Sequence, residues 1–201
     1  MSRKPNICYL QNFKMQDKIL TKGITKEEYD WLVGLFLADG SRYFYKRGYC
    51  LYFYLSPFKD KEILKKLLLI LKKMGFKPYV RLERSISAIC VRFFSKALYH
   101  MLPTKYEVYH PKSKDAFIAG FLDGDGFIIP KKDCIGLTQK IVKWVCPFIY
   151  HYFEGLGIHS WYKSGVHVRY GGMQYYRTSL KQVMVKTQVL HFMAKGKPYL
   201  S

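Results

Sequence analysis

An apolar stretch with small residues four apart, ending in an acid, occurs twice in this chain: "WLVGLFLADG" from Trp31 to Gly40 and "FIAGFLDGDG" from Phe117 to Gly126. Gly34 and Ala38 fall on one helical face, and Gly120 and Gly124 repeat the arrangement. Small residues at that spacing let two helix backbones approach closely. If the copies pack on each other there, their C-terminal ends lie side by side and bring Asp39 to Asp125. A carboxylate at a helix C-terminus meets the negative end of the macrodipole, and a second carboxylate beside it adds repulsion. A chain shaped by stability alone would carry Lys or Arg there. Hard divalent cations favour carboxylate and carbonyl oxygens, and a helix end supplies freed carbonyls. One copy alone could be an Asp that caps a turn. Two copies in register point to a cation site held by Asp39 and Asp125, with carbonyls near Ala38 and Gly124.

The repetition extends beyond these stretches. "LKKMGFKPYV" (71–80) and "FEGLGIHSWY" (153–162) each read as the end of an apolar helix, stopped at Gly75 and Gly157, then an extended aromatic segment. Both halves therefore follow the order helix, extended pair, helix, extended pair, short helix. Thr25 and Glu28 form a capping box that opens the first helix. "SRYFY" and "YCLYFYL" flank "KRG", a hairpin with Gly48 expected in the turn. Ile63, Leu64, Leu67, Leu71 and Met74 have helical spacing, with Lys65, Lys66, Lys72 and Lys73 expected on the solvent side. In the second half Pro147 predicts a kink or a late helix start, and "LKQVMVKTQVLHFMA" reads as the closing helix. The expected organisation is α+β: a basic extension over 1–24, a first half over 25–104, a linker over 105–113 with Ser113 capping the next helix, and a second half over 114–201.

The charge bears on partners. The 201 residues carry 34 Lys and Arg against 14 Asp and Glu, a formal charge of +20, while a hydrophobic fraction of 49% supports a core. A folded chain this basic is best matched by a polyanion, most often nucleic acid. A membrane surface fits less well, since there is neither a basic amphipathic anchor nor an apolar run long enough to span a bilayer. The five scattered cysteines contain no CxxC pair and no histidine at zinc-ligand spacing, so the expected location is a reducing intracellular compartment: cytoplasm, nucleoid or an organelle.

"LVGLFLADG" (32–40) and "IAGFLDGDG" (118–126), with the elements that follow each, resemble the LAGLIDADG homing endonucleases in their single-chain, double-motif form. The resemblance runs over nearly the whole chain from about residue 25. It implies a pseudo-two-fold pair of αββαββα halves, motif helices packed at the centre, and a saddle of antiparallel strands on double-stranded DNA. It further implies a monomer that makes a double-strand break in a long, nearly palindromic target, an intron-insertion site, using Mg²⁺ or Mn²⁺; Ca²⁺ would bind without cleavage. The family's essential acids map to Asp39 and Asp125. Asp123 matches the motif's first Asp, but Leu37 stands there in the first copy, so Asp123 is assigned no catalytic role. Gln139 matches a water-positioning residue, with Pro57 at the nearest place in the first copy. Lys105, and Lys197 or Lys195, are candidates for polarising the phosphate. Two rivals share the scaffold: an RNA-binding maturase that assists intron splicing, and a DNA-binding regulator that does not cut, which would be expected to lack one acid.

Strand alternation nominates the side chains facing DNA. With Leu51, Phe53 and Leu55 inward, Tyr52 and Tyr54 point out. With Val80 and Leu82 inward, Arg81 and Glu83 point out, as does Arg92 on the partner strand. Val166 and Val168 inward leave His167 and Arg169 outside. Arg42, Lys46, Lys131, Lys132 and Lys140 lie in or near the first hairpin of each half. Arginine can read guanine bidentately and lysine can hold phosphates, which suits a ribbon in the major groove.

Overall fold

The computed structural model describes residues 23–45, 48–129, 134–138, 142, 144–155, 160–163 and 167–170. Its elements are α1 (Lys26–Asp39), β1 (Gly40–Tyr45), β2 (Gly48–Leu55), α2 (Lys61–Lys73), β3 (Tyr79–Glu83), β4 (Ala88–Phe94), α3 (Lys96–Met101), α4 (Lys114–Asp125), β5 (Gly126–Ile129), β6 (Cys134–Thr138), α5 (Val145–Gly155), β7 (Ser160–Lys163) and β8 (His167–Tyr170). The strands form two antiparallel four-stranded sheets with the same order, β1-β2-β4-β3 and β5-β6-β8-β7. The class is α+β, as the sequence indicates. The N-terminal extension up to residue 22, Gly157, Val166 and the closing helix expected over 180–194 lie outside the described residues.

Local chemistry sets most boundaries. The Thr25 hydroxyl accepts from the Glu28 amide at 3.2 Å, and the Glu28 carboxylate accepts from the Thr25 amide at 3.0 Å, so both arms of the capping box close. Ser113 caps α4 by accepting from the Ala116 amide. Gly75, at φ +82°, takes the left-handed conformation that ends a helix. Pro147 falls in the first turn of α5, where a missing amide costs little; the late start is realised.

Helices α1 and α4 are apolar on every side because they are covered on every side. Trp31, Leu32, Val33, Leu35 and Leu37 have no solvent exposure, nor do Phe117, Ile118, Ala119 and Phe121. A Cβ on Gly34 would lie 2.2 Å from the Phe117 carbonyl oxygen, and one on Gly120 would lie 2.0 Å from that of Trp31. Trp31 precedes Gly34 by the same step as Phe117 precedes Gly120, so the contact is reciprocal, as a two-fold axis requires.

Three expectations need correction. Tyr45 pairs with Gly48, so Gly48 belongs to the ladder and the connection is residues 46–47. Val80 and Leu82 share the helix-side register of Val91 and Ile89, yet remain 43% and 53% exposed, because β3 is an edge strand and extends past its cover. Lys66 does not stand in solvent: its ammonium lies 4.3 Å from the centre of the Trp31 ring.

Candidate active site and nucleic-acid face

Asp39 and Asp125 are the last residues of the two central helices, and the strands begin at once, with Gly40 opposite Phe53 and Gly126 opposite Leu137. Both glycines are extended, and their amides donate back to the Phe36 and Leu122 carbonyls. A Cβ on Gly126 would sit 2.3 Å from the Leu122 oxygen, so each acid is followed by the residue that allows so abrupt a change of direction. Across the helix pair, a Cβ on Gly124 would meet the Ala38 Cβ at 2.3 Å and the Asp39 Oδ2 at 3.2 Å. The Asp39 carboxylate thus lies beside the residue that precedes Asp125. Both acids are half-buried, and neither helix has a basic residue in its last turn.

This donor set suits a hard divalent cation: two carboxylates on opposed helix ends, with carbonyls close by. Among the described residues no group of three or more His, Cys, Asp or Glu forms, so Asp39 and Asp125 would be completed by carbonyls, water or phosphate oxygens. Asp123 plays a different part. It is 1% exposed and accepts the Trp31 indole N–H at 2.9 Å, tying the two central helices together. Asp30, also buried, accepts from the Tyr109 hydroxyl and, at 2.6 Å, from the Ser113 amide, which holds the inter-half segment to α1. None of these three bonds has a sequence signal, since each joins residues far apart in the chain. Lys105 lies half-buried in the turn after α3. Gln139 and Lys197 lie outside the described residues. By ladder register Thr138 corresponds to Tyr54, so the residue that follows in the first copy is Leu55, not the Pro57 expected.

The first sheet turns one face to the helices and the other outward. Ladder parity gathers Tyr52, Tyr54, Arg81, Glu83 and Arg92 on the outward face, together with Tyr43, Tyr79 and Cys90, which sequence reasoning missed. They line a recess of about 210 Å³. Tyr52 contacts Tyr43 and Tyr54 at ring-centre distances of 5.6 and 5.3 Å. Arg92 stacks on Tyr79 at 5.4 Å, and Arg81 is paired with Glu83. Burial raises the Tyr54 hydroxyl above its usual pKa, and a hydrogen bond with Cys50 does the same for Tyr43.

Arg42 does not belong to this face. It pairs with Leu51 on the helix side, donates to the Tyr99 carbonyl and to that of Leu102 at 2.8 Å, and lies 5.0 Å from the Tyr99 ring. The cause is register. A turn that included Gly48 would have set Arg42 opposite Tyr52; the two-residue connection moves it by one and so to the other face. In the second sheet His167 pairs with Thr138 and Arg169 with Gly136. Lys46, Lys131, Lys132 and Lys140 lie outside the described residues.

No protein-family model matches the chain, and no curated protein matches it. Solved structures do. I-DmoI in complex with DNA and calcium has a TM-score of 0.57 at 16% identity, covering 80% of this chain and 88% of that one. An I-DmoI variant on target DNA nicked in one strand, with manganese, gives 0.57 at 17% identity, covering 81% and 96%. The homing endonuclease I-WcaI bound to its DNA recognition sequence gives 0.51 at 16% identity, covering 96% and 95%. These neighbours are LAGLIDADG homing endonucleases, and at such identity the likeness establishes a shared fold.

Proposed function

We propose that this chain, which has the fold of the LAGLIDADG homing endonucleases, is a site-specific endodeoxyribonuclease that makes a metal-dependent double-strand break in a long, nearly palindromic duplex, an intron-insertion site. The observation that carries the reading is the Asp39 carboxylate lying against Gly124, the residue before Asp125, where the two central helices end. Similar proteins crystallised with DNA and with calcium or manganese support it.

Asp39 and Asp125 would hold Mg²⁺ or Mn²⁺, aided by carbonyls near Ala38 and Gly124. Divalent cations bound there supply an activated water and shield the phosphate and leaving oxygens. The chain's own work is positional. The glycine-lined helix pair fixes both carboxylates relative to each other, and the sheets that start at Gly40 and Gly126 fix the duplex relative to the carboxylates. Gln139 would orient the attacking water, and Lys105 and Lys197 would polarise the phosphate. One acid from each half lets a monomer address both strands.

The test is cleavage of a duplex pool selected for binding, with Mg²⁺ against Ca²⁺. Asp39→Asn and Asp125→Asn are each expected to abolish double-strand cutting in Mg²⁺, on the order of a hundred-fold or more in rate, while binding to the selected duplexes persists. Retention of double-strand cutting by either variant would exclude the two-acid assignment.

A further inference from the structure

We propose that Glu83 determines specificity by restraining Arg81, so that Arg81 reads a guanine in the DNA target and does not grip phosphate. This rests on the DNA reading above.

Glu83 stands where charge alone would not put it. The chain carries 34 Lys and Arg against 14 Asp and Glu, and the outward face of the first sheet is the one that would meet a polyanion. Among the described residues that line the recess there, Glu83 is the one acid. Ladder register fixes its face. Glu83 pairs with Ala88 and Arg81 with Cys90, two positions apart on β3 and so on one side of the sheet. The Arg81 guanidinium donates to the Glu83 carboxylate through one terminal nitrogen. Stability does not account for this pair, because the Arg81 side chain is 55% exposed and an exposed ion pair contributes little to folding.

The recess shows what a restrained arginine can do. Arg92, its neighbour there, donates to the Tyr43 hydroxyl and has a buried Nε, so it is committed inside the recess. Arg81 is held from one end only. A guanidinium offers five N–H groups in a planar fork, and the Glu83 contact engages one of its three nitrogens. Guanine presents two adjacent acceptors in the major groove, O6 and N7, which suit such a fork. The recess of about 210 Å³, lined also by Tyr54 and Tyr79, admits the edge of a base. β3 is an edge strand, the part of the sheet closest to the rims of a groove, where phosphates run. An unrestrained arginine on that strand reaches phosphate, which adds affinity for every sequence alike. Glu83 opposes this twice, by competing for the guanidinium and by repelling phosphate.

Binding to duplexes selected by the wild-type protein and to unselected duplex, measured against salt in Ca²⁺, tests this. Glu83→Ala is expected to bind unselected duplex more tightly and to lose about ten-fold of the preference for selected duplex. Its log–log salt dependence should steepen by about 0.9, the mark of one further phosphate contact. When selection is repeated, Glu83→Ala and Arg81→Ala should lose guanine enrichment at the same position, Arg81→Ala without the steeper slope. In the Arg81→Ala background, Glu83→Ala should change neither slope nor base preference. Thermal unfolding verifies that each variant is folded; if Glu83→Ala is not, Glu83→Gln, which keeps the volume without the charge, decides with the same expected directions. A steeper slope that persists without Arg81 would show that Glu83 acts through its charge alone and would overturn the proposal. So would a Glu83→Ala protein that keeps its guanine preference, or an Arg81→Ala protein that selects the wild-type motif. These results leave sequence-specific binding standing, whereas a wild-type protein that prefers no duplex would overturn that reading as well.

Discussion

Lys66 lies half-buried with its ammonium over the Trp31 ring, and burial lowers its pKa to about 7, against the opposing attraction of Asp123 and Glu28. In the unfolded chain its pKa returns to the ordinary value near 10.5. Between these values the unfolded state binds more protons, so this group makes stability rise with pH. Its cost is full below pH 7 and gone above about 10.5. Lys66→Met should therefore be more stable than wild type at pH 6, by about 1–2 kcal/mol after allowance for the solvent the side chain keeps. Paired denaturant titrations at pH 6 and pH 10 should show the advantage shrinking. An advantage that grew with pH would mean that attraction to Asp123 outweighs burial. Lys66 also marks a limit of sequence reading. A lysine at a solvent-side helical position gives no sign that a tryptophan from another helix will cover it. Arg42 marks a second limit, since its face depended on whether one glycine lay in a turn or in a ladder.

At the scale of elements, helices and strands were legible because their signals are local: a capping box, a left-handed glycine, a proline in a first turn, and period-two alternation in β2 and β4. Failures came where covering depends on distant geometry, as for Val80 and Leu82 on edge strand β3. The helix pair was legible from its small residues, and these also predict its fragility. Gly34→Ala or Gly120→Ala places a methyl about 2 Å from a backbone oxygen of the other helix, which cannot move aside alone. The helices must separate, at an expected cost of about 3 kcal/mol or more. Gly75→Ala is the control: it meets nothing within 4 Å and suffers only its positive φ, about 1 kcal/mol. Denaturation midpoints should rank the three variants in that order. Equal losses would show that the helices tolerate separation.

For the whole molecule, the near-symmetry is broken at particular bonds, and those bonds determine what each half can do alone. A copy of the first half could present its Gly34 face to another copy, since the Gly34–Phe117 and Gly120–Trp31 contacts are reciprocal. Such a pair would have Leu37 where the native molecule has Asp123, leaving the Trp31 indole N–H without its acceptor, at about 1–3 kcal/mol per subunit. Asp30 would also lose Ser113, which caps the first helix of the other half. Joining the halves in one chain thus permits two unlike sides, consistent with Tyr52 and Tyr54 in one sheet standing where Gly136 and Thr138 stand in the other. Produced alone, residues 1–112 should not yield a cooperatively folded monomer, because the apolar surface of α1 would be exposed along its whole inner face. Light scattering should find self-associated or unfolded material, and co-expression with residues 113–201 should restore a soluble one-to-one complex. A monomeric first half that unfolds cooperatively would show that the helix pair joins two independently stable domains and does not form their common core.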